Sequence, residues 1–354
     1  MNAPNEVRTM LAESLERLLT DHVDAPVLDA AKRDGWSASV WQALEGAQFT
    51  RVGIPEAAGG AGGTISDLAA VLRLAGRHAA PVPLAETAML AAWMMHSAGL
   101  PLPSGPLAAG PAGSEAIRAR REAGRWLLSG TMTRMPWARV ARRIIVLAEG
   151  DAGGIVASLD PAQCEIVPGQ NLAGEPRDAV TLNDVTPEEA APAGPVTRSA
   201  LVLRGALARA LLTAGALEGA LGLAVRYSQE RVQFGRRIGQ FQAIQQELAR
   251  FGGEVAAAVA ASLSAAGAME REGDVTLAVA SAKIRTAEAA REGALIAHQV
   301  HGAIGVTDEY PLHHLTLRLW SWREEYGNEA SWAATLGGLT QKRGADALWP
   351  ALTT

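Results

Sequence analysis

The chain has 354 residues, 48% of them hydrophobic and 19% charged, with a formal net charge of -5. This is the balance of a globular protein of two or three domains, and it excludes a disordered chain. The charge is spread without basic runs, which excludes a nucleic-acid surface, and the lone Cys164 excludes an intrachain disulfide or thiolate metal site and suits a reducing compartment.

The first residues, "MNAPNEVRTMLAESLERLL", set acids among their apolar positions, so they predict an amphipathic helix and not a signal peptide. Leu11, Leu15, Leu18 and Leu19 recur at helical spacing, and Val40, Leu44 and Phe49 mark a second helix. "AAWMMHSAGL" is too short to span a bilayer, and a cytoplasmic protein with no membrane span is expected. Between helices, Val52–Thr64 ("VGIPEAAGGAGGT") is rich in glycine but holds no G-x-x-x-x-G-K-[ST] and no G-x-G-x-x-G, so it reads as a turn and not a phosphate cradle.

"PLPSGPLAAGPAG" breaks the helical periodicity and places a domain boundary near residue 105. Beyond it, "RWLLSG", "RRIIVLAEG", "GGIVASL" and "AVTLNDV" are short, branched and bounded by Gly, Asp or Asn, which predicts the strands of a small β domain. "TPEEAAPAGPVT" closes that domain, and the helical pattern returns with more than thirty residues free of proline. The expected plan is a helical domain over 1–105, a β domain over 106–195 and a helical bundle over 196–354.

The most distinctive segment is Tyr227–Phe251, "YSQERVQFGRRIGQFQAIQQELARF". A helix breaks at Gly235 and Gly239 and restarts at Phe241, with Arg231, Arg236 and Arg237 beside the break. Free helix ends and guanidinium forks suit an anion, while the same charges also describe a solvated inter-helix turn.

The order R-x-Q-F-G, then I-G-x-F-Q-x-I-Q, resembles the flavin-binding segment of the acyl-CoA dehydrogenase family. "VGIPEAAGGAGG" is similar to that family's N-domain loop, and "HQVHGAIGVTDEYPLHHLTLRLW" to its second cofactor segment, so the resemblance covers nearly the whole chain. It implies an α-helical N-terminal domain, a small β-barrel or sandwich and a C-terminal four-helix bundle, with FAD at a subunit interface. In such a site Arg231 would meet the pyrophosphate, Phe234 and Gln242 would line the cofactor, and Gln299 and Gly302 would approach its ADP part from the other subunit. Trp137, in "RMPWAR", falls where the family places residues beside the flavin ring. The implied activity is oxidation of an acyl-CoA to a 2,3-enoyl-CoA, with electrons passed to an electron-transfer flavoprotein. Four of the seven histidines lie between His298 and His314, but no H-E-x-x-H is present and no metal is expected.

Two departures concern the base that removes the α-proton of the thioester. One family position, counted back from Arg231, lands near Gly205, and its neighbours Arg204, Ala206 and Leu207 offer no carboxylate. The other is the glutamate of an E-G-T sequence, and here Tyr326 precedes Gly327 within "WREEYGNE". Glu325 is the nearest acid and the expected base of a chain active alone. The β domain also looks shortened, with "TMTRMPWAR" in place of a W-I-T-like segment. These departures leave open a partner subunit of a heteromeric dehydrogenase that lacks its own base, or an inactive scaffold of the same fold. Homo-oligomer and hetero-oligomer both suit the resemblance.

Overall fold

The computed structural model describes residues 3–350, apart from 112, 114, 152, 272, 345, 348 and 349. The N-terminal part is built from α1 (Ala3–His22), α2 (Ala25–Asp34), α3 (Ala38–Gly46), α4 (Ile65–Arg77) and α5 (Ala92–Ser97). Their starts follow from local chemistry. The side chains of Asp24 and Ser37 cap α2 and α3, and Thr64 with Asp67 forms a reciprocal capping box on α4. A π-helical turn, Glu86–Ala91, leads into α5 and buries Glu86.

The middle part is a single sheet of β1 (Leu107–Gly110), β2 (Ile117–Glu122), β3 (Arg125–Pro136), β4 (Arg143–Gly150), β5 (Gly153–Leu159), β6 (Glu165–Val167), β7 (Arg177–Val185) and β8 (Glu189–Pro192). The strand order is β6-β7-β3-β2-β4-β5-β8, and β1 runs parallel to β4 just before β2 does the same. Alternate side chains serve different cores, as the pleat requires. Leu107, Ala109, Ile145 and Val156 join the helical core, while Ala108, Ile144, Val146 and Ala157 pack within the sheet. Two strands lie inside stretches that read as interruptions. β1 falls in "PLPSGPLAAGPAG" and β8 in "TPEEAAPAGPVT", because pairing with β4 and β5 supplies hydrogen bonds that local sequence does not signal.

The C-terminal part holds α6 (Arg198–Glu230), α7 (Gln242–Glu270), α8 (Thr276–His301), α9 (Leu312–Trp322) and α10 (Glu329–Arg343). A two-residue-per-strand hairpin, β9 (Val232–Gln233) and β10 (Arg236–Arg237), links α6 to α7. Helices α6, α7 and α8 pack side by side, with α9 against α6 and α10 against α8. Helix α6 is the central post, apolar enough along one stretch to cross a membrane by length and composition, yet 78% of that stretch is buried within the fold. It meets α4 at backbone contact. A Cβ at Gly215 would fall 1.8 Å from the Arg73 carbonyl, and one at Gly76 would fall 2.1 Å from that of Leu212. Only glycine allows this approach.

Candidate active-site cleft

The segment Trp322–Glu329 ("WREEYGNE") is the turn between α9 and α10. Its shape is set by hydrogen bonds at both ends. The Trp322 indole N–H donates to Glu175 (2.9 Å), the Trp332 indole N–H to the Tyr326 carbonyl (3.0 Å), and Asn328 caps α10. The buried Lys283 ammonium donates to the carbonyls of Trp322 and Arg323, both at 3.0 Å, so a cation closes the end of α9. Burial pushes the Lys283 pKa down to about 7.

This turn forms one wall of a cleft of about 220 Å³. Gly113, Glu115, Thr133, Arg134 and Pro136 of the β domain face Glu324, Glu325, Tyr326 and Gly327 across it. Glu115 accepts from the backbone N–H and the hydroxyl of Thr133 through one oxygen, while its Oε2 is buried with no partner among the described residues. Burial raises the Glu115 pKa, but the Thr133 hydrogen bonds outweigh it and hold the group below its ordinary value. The Thr133 hydrogen bonds thus fix Glu115 against β3 at the edge of the cleft, with its second oxygen covered by the chain at Gly113.

Beneath the turn lies a buried charge network. Glu325 accepts from Arg177 Nε at 2.7 Å and Nη2 at 3.1 Å, and from Arg209 Nε. Arg209 also reaches Glu86, Arg177 also reaches Glu175, and Arg318 donates to Glu175 at 3.1 Å. Three carboxylates thus meet three guanidiniums, drawn from the π-helical turn, the β domain, α6, α9 and the turn itself. The Glu325 side chain is only 9% exposed. Burial alone would raise its pKa, but Arg177 and Arg209 pull it down to about 2. Glu325, the acid expected as the base, thus sits inside this ion-pair network. A base for an α-proton needs a pKa raised towards working pH, and this carboxylate is held ionised between two arginines as a structural anion.

The two positions expected to carry a base touch each other. A Cβ built at Gly205 would fall 2.2 Å from Tyr326 Cδ1, so the tyrosine ring lies flat on the glycine of α6. Tyr326 is 6% exposed, adopts a left-handed backbone angle (φ 55°) and stands 5.5 Å from the Arg209 guanidinium carbon. Its hydroxyl is buried without a partner among the described residues, and burial pushes its pKa up, so it stays protonated. Tyr326 fills the space between the two places where a carboxylate would stand.

Trp137 is displaced from its expected role. It is 3% exposed, under the cleft, with the Arg177 guanidinium carbon 6.0 Å from its ring centre, while its neighbours Thr133, Arg134 and Pro136 face the cleft. Its left-handed backbone (φ 61°) turns the ring inward. The other expected cofactor residues lie on the surface, at the far end of the bundle. Phe234 at the tip of the β9–β10 hairpin is 93% exposed, and Arg231, Gln242, Gln299 and Gly302 are exposed as well. Tyr227, one turn before Arg231, stacks on His301 at 4.7 Å, and both rings touch Tyr310, which brings the hairpin beside the end of α8. An exposed phenylalanine beside exposed arginines suits a cofactor held between chains.

The charge network escaped sequence reasoning. Arg177, Glu175 and Arg209 belong to no motif, and a buried ion pair between residues 148 positions apart leaves no local signal. The one available hint was that Arg209 is the single charge in the stretch 205–217 of α6.

Profiles of the acyl-CoA dehydrogenase N-terminal domain and C-terminal domain match residues 5–101 and 196–330. The chain is 30% identical over 318 residues to acyl-CoA dehydrogenase IpdE2 of Mycobacterium tuberculosis, which covers 88% of this chain and 90% of that protein. Among solved structures, the Tcur3481-Tcur3483 steroid ACAD superposes with a TM-score of 0.84 at 27% identity, covering 96% of this chain and 99% of that one. The ChsE4-ChsE5 complex from Mycobacterium tuberculosis shares the fold, with a TM-score of 0.87 at 24% identity over 96% of this chain and 98% of that one.

Proposed function

The chain belongs to the acyl-CoA dehydrogenase family, and from that premise we propose that it is a subunit of a heteromeric acyl-CoA dehydrogenase whose α-proton base lies on a homologous partner chain. The observation that carries this reading is the contact of Tyr326 with Gly205, which leaves both base positions without a carboxylate and the space between them filled.

FAD is the cofactor of this reading, and the residues present fit it. On the exposed hairpin, the Arg231 guanidinium suits the pyrophosphate and the 93% exposed Phe234 offers a ring face to the cofactor. Bound there, the flavin would supply the acceptor for hydride from the β-carbon of the thioester. The contribution of this chain is to hold and orient. Arg231, Phe234 and Gln242 would grip the cofactor from the hairpin side, and Gln299 and Gly302 from the end of α8. The Tyr326 ring would exclude water from the cleft, and the Arg177–Glu325–Arg209 clamp would keep the turn rigid. The outer face of α7, with Gly253, Ala256, Ala257, Ala260 and Leu263 exposed, offers a flat surface on which another chain's helices can pack. The paired names of two similar structures support a two-chain assembly. An electron-transfer flavoprotein is the electron acceptor of this reading.

The test is anaerobic acyl-CoA reduction of the purified chain, alone and with a homologous chain that carries a glutamate at either base position. No bleaching of FAD alone and rapid bleaching in the pair is the expected result. Rapid bleaching by the chain alone would overturn the proposal.

A further inference from the structure

The histidine pair at the start of α9 finds its counterpart at the opposite end of the sequence. His313 and His314 are 8% and 5% exposed, with ring centres 3.9 Å apart. His313 Nδ1 lies 2.9 Å from the Tyr310 carbonyl, which can only accept, so Nδ1 carries a proton and Nε2 is the nitrogen left for another group. That Nε2 is buried with no hydrogen-bond partner among the described residues. An orphaned imidazole nitrogen in a polar setting needs an explanation. Metal-bound histidines commonly show this arrangement, with one nitrogen donating to a carbonyl and the other on the ion.

Carboxylates stand where an ion would need them. His314 Nε2 is 3.3 Å from Asp29 Oδ1, and His313 Nε2 is 3.6 Å from Asp308 Oδ1. One ligand atom each from Asp29, His313 and His314 all fall within 4.8 Å of one another. Ligands at about 2.0–2.1 Å from a tetrahedral ion stand roughly 3.4 Å apart, so a contraction of up to about 1.4 Å, within reach of a side-chain adjustment at the exposed Asp29, would close the set.

We propose that Asp29, His313 and His314 form a site for a zinc-class divalent cation, with Asp308 or water as the fourth ligand. Two neutral imidazoles and carboxylate oxygen suit zinc or cobalt and disfavour magnesium or calcium, which prefer oxygen alone. To bind, Asp308 leaves its 3.2 Å pair with the exposed Lys32 ammonium, or yields its place to water. The spacing of the histidines hides the site because its third ligand comes from α2. Its role is structural, since it ties α2 to α9. Arg318, which donates to the His314 carbonyl at 2.9 Å and to Glu175, lies one turn further along α9. The clip therefore sets the helix that carries the charge network, whichever chain supplies the base.

The test uses the full chain, free of any histidine tag and stripped with EDTA. Zinc is titrated by calorimetry and cobalt by visible absorption. One equivalent of each is expected, with the strong visible bands of tetrahedral cobalt and a zinc-dependent rise in melting temperature. His313→Gln and Asp29→Asn should each weaken zinc at least about tenfold and abolish the rise in melting temperature. Unchanged circular dichroism would show that the variants remain folded. Absence of one-to-one binding at micromolar zinc or cobalt would overturn the proposal. So would binding that both substitutions leave intact, because the ion would then sit elsewhere.

Discussion

Replacing Glu325 with Gln separates a structural anion from a catalytic base. The substitution keeps the shape of the side chain and removes the charge that Arg177 and Arg209 share. Breaking a buried pair by deleting one partner costs about 3–5 kcal/mol. Here each arginine keeps a second acid, Glu175 for Arg177 and Glu86 for Arg209, so the low end applies. The same two arginines pull the Glu325 pKa from 4.5 to about 2, which has the matching sign. The sign follows from linkage: a depressed carboxylate stabilises the fold above pH 4.5, and that contribution is lost as pH falls towards 2. Urea unfolding at pH 7 should therefore show Glu325→Gln about 3 kcal/mol less stable, with an unchanged m-value. The gap between wild type and variant should narrow as pH is lowered from 4.5. A loss below about 1 kcal/mol at pH 7, or a gap that does not narrow in acid, would refute the clamp.

Tyr326→Phe removes a buried hydroxyl without a partner, so the free chain should gain up to about 1–2 kcal/mol, read as a higher denaturant midpoint. A loss instead would show that the hydroxyl is bonded. Gly205→Ala drives a methyl into the Tyr326 ring and should cost about 1–3 kcal/mol. Combined with Tyr326→Ala, which vacates the ring, the same change should cost almost nothing, and additive losses would show that the two residues do not touch. Lys283 binds its proton less tightly folded, at about 7, than unfolded, at 10.5. Its contribution to stability thus rises with pH between those values, by up to about 1.4 kcal/mol per unit. Lys283→Met should remove that slope, and parallel stability curves for the two proteins from pH 7 to 10 would contradict it.

Most of the architecture was legible because a helical pattern, a strand pattern and a second helical pattern follow one another along the chain. The helical stretches before residue 105 and after 196, and strands such as β4 and β5, carry their own signals. β1 and β8 do not, since Leu107–Gly110 and Glu189–Pro192 become strands only through the neighbours that pair with them. The site shows the same limit more sharply. "WREEYGNE" was visible as the turn where a base belongs, and Gly205 as a second such place, yet sequence treated them as separate vacancies. Contact makes them one feature.

That contact also explains why a change at one position leaves no room at the other. With tyrosine at 326, any side chain at 205 collides with the ring. With glycine at 205, α6 offers the ring a flat bed in which it becomes buried, and Arg209 stands over it. Beneath it, Glu86, Glu175 and Glu325 match Arg177, Arg209 and Arg318 charge for charge. A base in an apolar cleft depends on a carboxylate that is poorly solvated and poorly paired, so that it takes up a proton near neutral pH. Every acid in this network is instead paired, and the one group between them is a protonated phenol. The physics that would raise a base is used here to fix a turn, which is the arrangement that the proposed division of labour between two chains requires.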